Sequence, residues 1–328
     1  MKAFVLRSYG SPDVLEMQDV AKPVPAGDEV LVRVRASSVN PWDWHGLRGQ
    51  PYAARLIAAE LGLRRPKLSV LGCDMAGQVE ATGPEACDFR PGDDVFALLL
   101  HGGGFGEYVC VPEGLLAPKP SNLSYEQAAA VPMAAITALL AVRERGRVQP
   151  GQKVLVNGAS GGVGTFAVQL ARAFGAAVAG VCGPRNVGLV RSIGADEVID
   201  YASEDFTRQG KRYDLLLDIA GSRGPLACRR AMTPRGTFAI IGGPAGRWLQ
   251  PAGHAFSALA MGPLVSQRIV MVNAVGCKPK QNLVTLAGLI EETKITPVID
   301  RCYPFTEIAE AVRHSEAGHA RGKVVVTV

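Results

Sequence analysis

The stretch VLVNGASGGVGTFAVQLARAFGA, Val154–Ala176, decides the fold. A strand-like run from Lys153 to Val156 enters Asn157-Gly158-Ala159-Ser160-Gly161-Gly162-Val163-Gly164, and a helical pattern follows at once. Val163, Phe166, Ala167, Leu170, Ala171 and Phe174 recur at three- to four-residue spacing, the apolar stripe of an amphipathic helix. Ala159, Gly161 and Gly164 make an A-x-G-x-x-G pattern. Small residues permit the tight turn, Gly161 lets the backbone approach a pyrophosphate, and Gly164 permits close helix–strand packing. The helix's first N–H groups, unpaired within the helix itself, face such phosphates. The pattern therefore predicts a phosphate cradle inside an α/β, doubly wound sheet.

Working outward, the runs AVAGVC, EVID, YDLLLDIA, GTFAIIGG and RIVMVNAV alternate with helical stretches. Continuous apolar strands between helices imply a parallel sheet covered on both faces. Before Ser124 the rhythm differs: MKAFVLRS, EVLVRVRASSV, GQVEAT, DDVFALLL and GEYVCV are short β segments between turn residues. YAARLIAAELGLRR predicts a short helix or loop. SYEQAAAVPMAAITALLAV is helical, with Ser124 as N-cap, Gln127 three residues on, and Pro132 bending or breaking it. After Gly276 come a helix (QNLVTLAGLIEE), another beyond Pro304, and a closing strand KVVVTV. These are too few for a domain and are expected to return to the N-terminal one.

At 328 residues the chain is long for a single core, so two domains are expected. The formal charge of +5 is spread along the chain, and its densest basic run is only Arg64-Arg65 with Lys67. Nucleic-acid binding calls for a clustered basic face, so no nucleic-acid partner is expected. MKAFVLRSYGSP lacks the apolar core and small-residue cleavage site of a secretory signal. No run approaches about 18 uncharged apolar residues, so no membrane partner is expected and the expected location is cytoplasmic. Seven scattered cysteines without a CxxC fit free thiols in a reducing compartment. The five histidines show no metal spacing, and GASGG is a glycine loop rather than a hydrolase's nucleophile elbow.

The ribose end narrows the cofactor. An NAD site carries Asp or Glu about 20 residues beyond the glycines, at the tip of the second strand. Here AVAGVC ends in Cys182-Gly183-Pro184-Arg185, without a carboxylate. A carboxylate binds two ribose hydroxyls but repels a 2′-phosphate, and Arg185 does the reverse, so NADP(H) is the expected cofactor. A cation at a helix start opposes the helix dipole, a small cost that itself points to an anionic partner.

ASSVNPWDWHGLRG, LGCDMAGQVEATG, FRPGDDVFALL, GGFGEYVCVP, NLSYEQAAAVPMAAITALLAV, the glycine loop, IGADEVIDY and ARGKVVVTV follow one another from end to end. In this the chain resembles the medium-chain dehydrogenase/reductase superfamily, in its zinc-free quinone oxidoreductase (zeta-crystallin-like) branch. The resemblance implies a GroES-like, β-rich catalytic domain built from both chain ends, with a Rossmann domain inserted. The expected boundaries are residues 1–134, 135–275 and 276–328. It places Asn40 beside the nicotinamide and substrate and Thr137 against the cofactor. Ala159, Ser160, Gly161, Gly162, Val163 and Gly164 are assigned to the pyrophosphate loop. Arg185 and Tyr201 flank the adenosine 2′-phosphate, and Ile241, Gly242 and Lys323 also border the cofactor. Gly183 departs from the Ser or Thr that NADP-binding relatives often carry, which removes one hydroxyl donor. A homodimer formed through RIVMVNAV is also implied.

Zinc relatives hold their catalytic metal through Cys, His and Cys, where this chain has Asn40, Cys73 and Met133. A catalytic zinc needs three good protein ligands, so no metal is expected. Without a Lewis acid, simple alcohol oxidation loses its main electrostatic support. Hydride addition to a quinone or an enone spreads the charge, and a few hydrogen-bond donors suffice. Asn40 is the expected donor and Tyr52 the expected proton source or orienter. The expected substrate is a small quinone or conjugated carbonyl. The alternatives are an NADP-dependent alcohol/aldehyde or enoyl-thioester reductase, or a non-catalytic NADPH- or RNA-binding protein.

Overall fold

The computed structural model describes residues 1–328 except 57–61, 68, 244–251 and 275. Most of the central portion of YAARLIAAELGLRR therefore lies outside the described residues; the part described begins with a 3₁₀ turn, Tyr52–Leu56. The chain divides into two compact units. One is Met1–Ile136 with Cys277–Thr293 and Pro297–Val328; the other is Thr137–Gly276 with Lys294–Thr296.

In the second unit, Val154, Leu155 and Val156 are fully buried, as an apolar strand covered on both faces requires. Six parallel strands lie in the order Glu197–Asp200, Ala177–Cys182, Lys153–Asn157, Tyr213–Asp218, Met232–Ile240, Arg268–Met271. Sequence order thus runs outward in both directions from the strand that enters the glycine loop. That is the doubly wound arrangement, whose ligands sit beyond the carboxyl ends of the strands at the reversal point. Leu155, Val181, Leu216 and Phe238 join Ala255 and Ala258 in one buried cluster. RIVMVNAV contributes a strand of only Arg268–Met271.

In the first unit, a mixed sheet of seven strands follows the path Ile299–Pro304, Lys323–Thr327, Glu29–Val39, Asp74–Thr82, Asp94–Leu98, Leu116–Pro118, with Tyr108–Pro112 also pairing Glu29–Val39. The closing strand pairs antiparallel with an N-terminal one, Val324 opposite Val39. The fold is thus a GroES-like β-rich domain drawing on both chain ends, with an inserted Rossmann sheet.

The helical run from Ser124 divides into Tyr125–Ala129, Pro132–Leu139 and the start of a π-helix, Leu140–Arg145. Pro132 starts the second because its missing N–H is harmless only in a first turn. The Ser124 Oγ accepts from the Gln127 N–H at 3.2 Å, and the Gln127 Oε1 accepts from the Ser124 N–H at 3.0 Å. Ser124→Ala removes the cap and should lower unfolding stability by about 1 kcal/mol in urea titration.

Candidate functional site

The glycine loop begins where Lys153–Asn157 ends. Gly158 has φ +96°, a left-handed conformation that glycine adopts without strain. The Gly158 and Ala159 N–H groups donate to the Val181 carbonyl at 3.2 and 2.9 Å, pinning the turn to the neighbouring strand. Helix Gly162–Ala173 starts with Gly161 as an N-cap that offers no side-chain cap, so its first-turn N–H groups point outward. A Cβ on residue 164 would stand 2.0 Å from the Gly158 carbonyl oxygen and 2.8 Å from the Ala159 backbone. On residue 161 it would meet only the Gly158 carbonyl oxygen, at 3.7 Å. The loop thus fits a dinucleotide pyrophosphate: packed tightly behind, open in front, and edged with N–H donors.

Ser160 is fastened by Asn186, whose Nδ2 donates to its Oγ at 3.0 Å. Arg185 is exposed on the 3₁₀ turn Pro184–Asn186 directly after the second strand. Tyr201 is 58% exposed and lies against Gly183, where an added Cβ would be 2.9 Å from its hydroxyl. The absence of a side chain at 183 makes room for that phenol. The Asp200 carboxylate is turned to its own chain, accepting from the Ala202 N–H at 3.0 Å.

The same carboxyl edge carries a network that the sequence pattern does not announce. Asp218 is fully buried; its Oδ1 accepts from Asn157 Nδ2 at 2.7 Å and from the Gly221 N–H at 3.0 Å. Its Oδ2 pairs with His254 Nε2 at 2.8 Å. Its carbonyl accepts from the N–H groups of Ile241 and Gly242 at 2.9 and 3.2 Å. Asp218 closes the apolar run YDLLLD, a terminal-carboxylate signal legible in sequence; nothing singles out His254, on helix Ala252–Met261.

In the first unit, Asn40, Asp43, Cys73, Asp74 and Lys323 converge, each no more than 3% exposed. Asn40 precedes helix Pro41–Arg48, and Asp43 at the helix's third position accepts the Asn40 N–H at 2.8 Å. The other Asp43 oxygen takes the Gly72 and Cys73 N–H groups at 3.0 and 3.1 Å. Burial pushes the Asp43 carboxyl up to about 6, against the lowering effect of its N–H donors. Asn40 Nδ2 donates to Asp74 Oδ2 at 2.9 Å and approaches Ser38 O at 3.2 Å and Cys73 Sγ at 3.3 Å. Lys323 Nζ donates to Asn40 Oδ1, to Asp74 Oδ2 at 3.2 Å and to Val39 O at 3.4 Å. Ser38 Oγ and the Met133 N–H complete the Asp74 carboxylate at 2.7 and 2.8 Å.

The polar groups of this cluster are engaged with one another. Burial, then the Asp43 and Asp74 charges, push the Cys73 thiol well above its ordinary range. The Asn40 and Asp74 oxygens already receive the Lys323 ammonium, a cation within the cluster. Among the described residues no three His, Cys, Asp or Glu side chains are grouped to hold a metal. Lys323 has three acceptors inside its own unit.

The surroundings of other residues singled out in the sequence are as follows. Tyr52 is half-buried; Gln50 Nε2 lies 3.4 Å from its hydroxyl, and the Arg55 guanidinium stands over its ring at 4.9 Å and over Tyr9 at 4.1 Å. Thr137 is buried on helix Pro132–Leu139. His45 donates from Nδ1 to the Gln50 carbonyl at 3.0 Å, and burial lowers its pKa; His101 is exposed. No helix among the described residues is long and apolar enough to cross a membrane.

Comparison with known proteins agrees with this architecture. Residues 26–121 match the alcohol dehydrogenase GroES-like domain family, and residues 193–326 match the zinc-binding dehydrogenase family. A chloroplast envelope quinone oxidoreductase homologue of Arabidopsis thaliana is 32% identical, over 99% of this chain and 98% of its own. The mitochondrial NAD(P)H oxidoreductase RTN4IP1 of Mus musculus is 34% identical, over 100% of this chain and 89% of its own. The quinone oxidoreductase structure from Coxiella burnetii superposes with a TM-score of 0.87 at 28% identity, covering 100% of this chain and 99% of that one. The chain belongs to the medium-chain dehydrogenase/reductase superfamily, in its quinone oxidoreductase branch, and is a nicotinamide-dependent oxidoreductase.

Proposed function

We propose that this chain is a zinc-independent, NADPH-dependent reductase of quinones or of the C=C bond of conjugated carbonyls. The observation that supports the reading is the buried cluster of Asn40, Cys73, Asp74 and Lys323, in which the Lys323 ammonium holds the Asn40 amide oxygen and Asp74. Hydride addition to a quinone or an enone spreads its developing charge, as an enolate or phenolate, and an amide donor of this kind suits that charge.

A bound nicotinamide dinucleotide supplies the hydride. Ala159 and the N–H groups of the Ser160–Gly164 loop receive the pyrophosphate, with Ile241 and Gly242 bordering it and Thr137 steadying the cofactor from its helix. Arg185 and the Tyr201 hydroxyl take the 2′-phosphate; the phenol replaces the hydroxyl that Gly183 lacks. Asn40 commits one amide hydrogen to Asp74 and divides the other between the Ser38 carbonyl and the weak acceptor Cys73 Sγ. That second hydrogen is the one exchanged for a substrate oxygen. Lys323, bonded to Asn40 Oδ1, polarises the amide and makes it a stronger donor. Tyr52 holds a proton at its hydroxyl for the reduced product.

The test follows NADPH oxidation with 9,10-phenanthrenequinone and with 2-cyclohexenone, beside NADP⁺ reduction by simple alcohols. Turnover of either acceptor, with the alcohols inert and no effect of chelators, is the expected result. Micromolar NADPH binding without turnover of any acceptor sinks the reading. Arg185→Ala should raise the KM for NADPH by about ten- to a hundredfold while leaving that for NADH unchanged, since a charge-assisted contact contributes about 1.5–3 kcal/mol. An equal effect on both cofactors removes Arg185 from the 2′-phosphate.

A further inference from the structure

We propose that Asp218 and His254 are positioning residues for the dinucleotide: together they set the spacing of the chain turns that receive it. The proposal rests on the reading of this protein as an NADPH-dependent enzyme, and it concerns affinity rather than the chemical step.

The geometry is a knot at the reversal point of the six-stranded sheet. Asp218 and Asn157 stand opposite each other at the carboxyl ends of the two central parallel strands. Asn157 leads directly into Gly158, so whatever fixes its side chain fixes the entry to the glycine loop. Asn157 Nδ2 donates to Asp218 at 2.7 Å and to Ser222 Oγ at 3.1 Å, and the Asn157 carbonyl accepts from the N–H groups of Ile219 and Ala220 at 3.0 and 3.2 Å. The Asp218 carbonyl holds the turn at Ile241 and Gly242. Three strand-to-helix turns therefore share one residue, and helix Ala252–Met261 reaches it through His254.

Asp218 is fully buried and His254 is 8% exposed. A carboxylate withdrawn from water must be filled with donors, or it shifts toward water at the expense of its surroundings. Asn157 and Gly221 supply one oxygen; His254 supplies the other. Without His254 the second oxygen loses its donor on the side of helix Ala252–Met261, and only Asn157 Nδ2 and the Gly221 N–H still hold the carboxylate. As the carboxylate tilts, the amide of Asn157, which leads into Gly158, and the turn at Gly221 shift with it. Hydrogen-bond donors displaced by a fraction of an ångström bind phosphate less well, while the reacting groups elsewhere are unaltered.

His254→Asn and His254→Gln separate this role from simple packing. The Asn amide stops at the level of Nδ1 and cannot donate to Asp218; the Gln amide reaches the level of Nε2 and can. NADPH dissociation constants come from isothermal titration calorimetry, and kcat is measured at saturating cofactor. His254→Asn should weaken NADPH about tenfold, with kcat within about twofold of wild type, and His254→Gln should restore most of the affinity. Equal affinity in His254→Asn and wild type overturns the proposal, whatever happens to the melting temperature. So does a Gln variant that binds no better than the Asn variant. Wild-type protein that binds no NADPH would refute the functional reading as well, whereas tight wild-type binding matched by both variants refutes the positioning role alone.

Discussion

Alanine at Gly164 and alanine at Gly161 should each weaken NADPH binding about a hundredfold, but only the first should also cost fold stability. At 164 the methyl would stand 2.0 Å from the Gly158 oxygen, and all its near neighbours are backbone, so nothing can yield without moving the loop. Overpacking of this kind costs about 1–3 kcal/mol. The displaced loop loses at least two N–H contacts to phosphate, each contributing about 1.5 kcal/mol or more. At 161 the backbone has φ −84° and ψ 177°, which alanine adopts readily, and the new methyl meets only one atom, at 3.7 Å. The protein should therefore fold within about 1 kcal/mol of wild type, as for a changed N-cap. The methyl instead occupies the space in which a pyrophosphate would meet the N–H groups. Urea unfolding and calorimetric NADPH titration of the pair give the two readouts. A Gly161→Ala protein that binds NADPH like wild type means that the pyrophosphate does not lie there.

Asp74→Ala should destabilise the first unit by about 3–5 kcal/mol, because it strands a buried ammonium. Asp74 is fully buried and takes Ser38 Oγ, Asn40 Nδ2, the Met133 N–H and Lys323 Nζ. Lys323 is 3% exposed, so water cannot replace the lost carboxylate. Against a total stability of about 5–15 kcal/mol the loss is severe. Adding Lys323→Met removes the orphaned charge, and the double variant should be more stable than Asp74→Ala alone. Such non-additivity is the signature of a coupled pair. A single variant losing less than about 1 kcal/mol in urea unfolding would show that the ammonium is not stranded by the change.

Much of the fold was legible because its signals are local. The apolar run before Asn157, the stripe Phe166–Ala167–Leu170–Ala171, and the Ser124–Gln127 box each lie within one element. Their periodicity reports directly on which face is buried. The glycine positions were equally readable, since φ +96° at Gly158 and the close approach at Gly164 are demands of one turn. Tyr201 was half legible: the resemblance singles it out beside Arg185, but its packing of the phenol against Gly183 shows only in the structure.

By itself the sequence determined that a strand, a tight glycine turn and a helix follow one another, that the sheet around them is doubly wound, and that no carboxylate stands at the second strand's tip. Only the tertiary structure decided what surrounds Asn40. Lys323 reaches it because the last strand pairs with Glu29–Val39, placing Val324 opposite Val39, across 283 positions of sequence. His254 meets Asp218 across 36 positions and a strand crossover. Periodicity within an element fixes which face is buried, but it carries no record of which distant side chains a pairing register will bring together. Where buried charges must find partners, that register decides the chemistry.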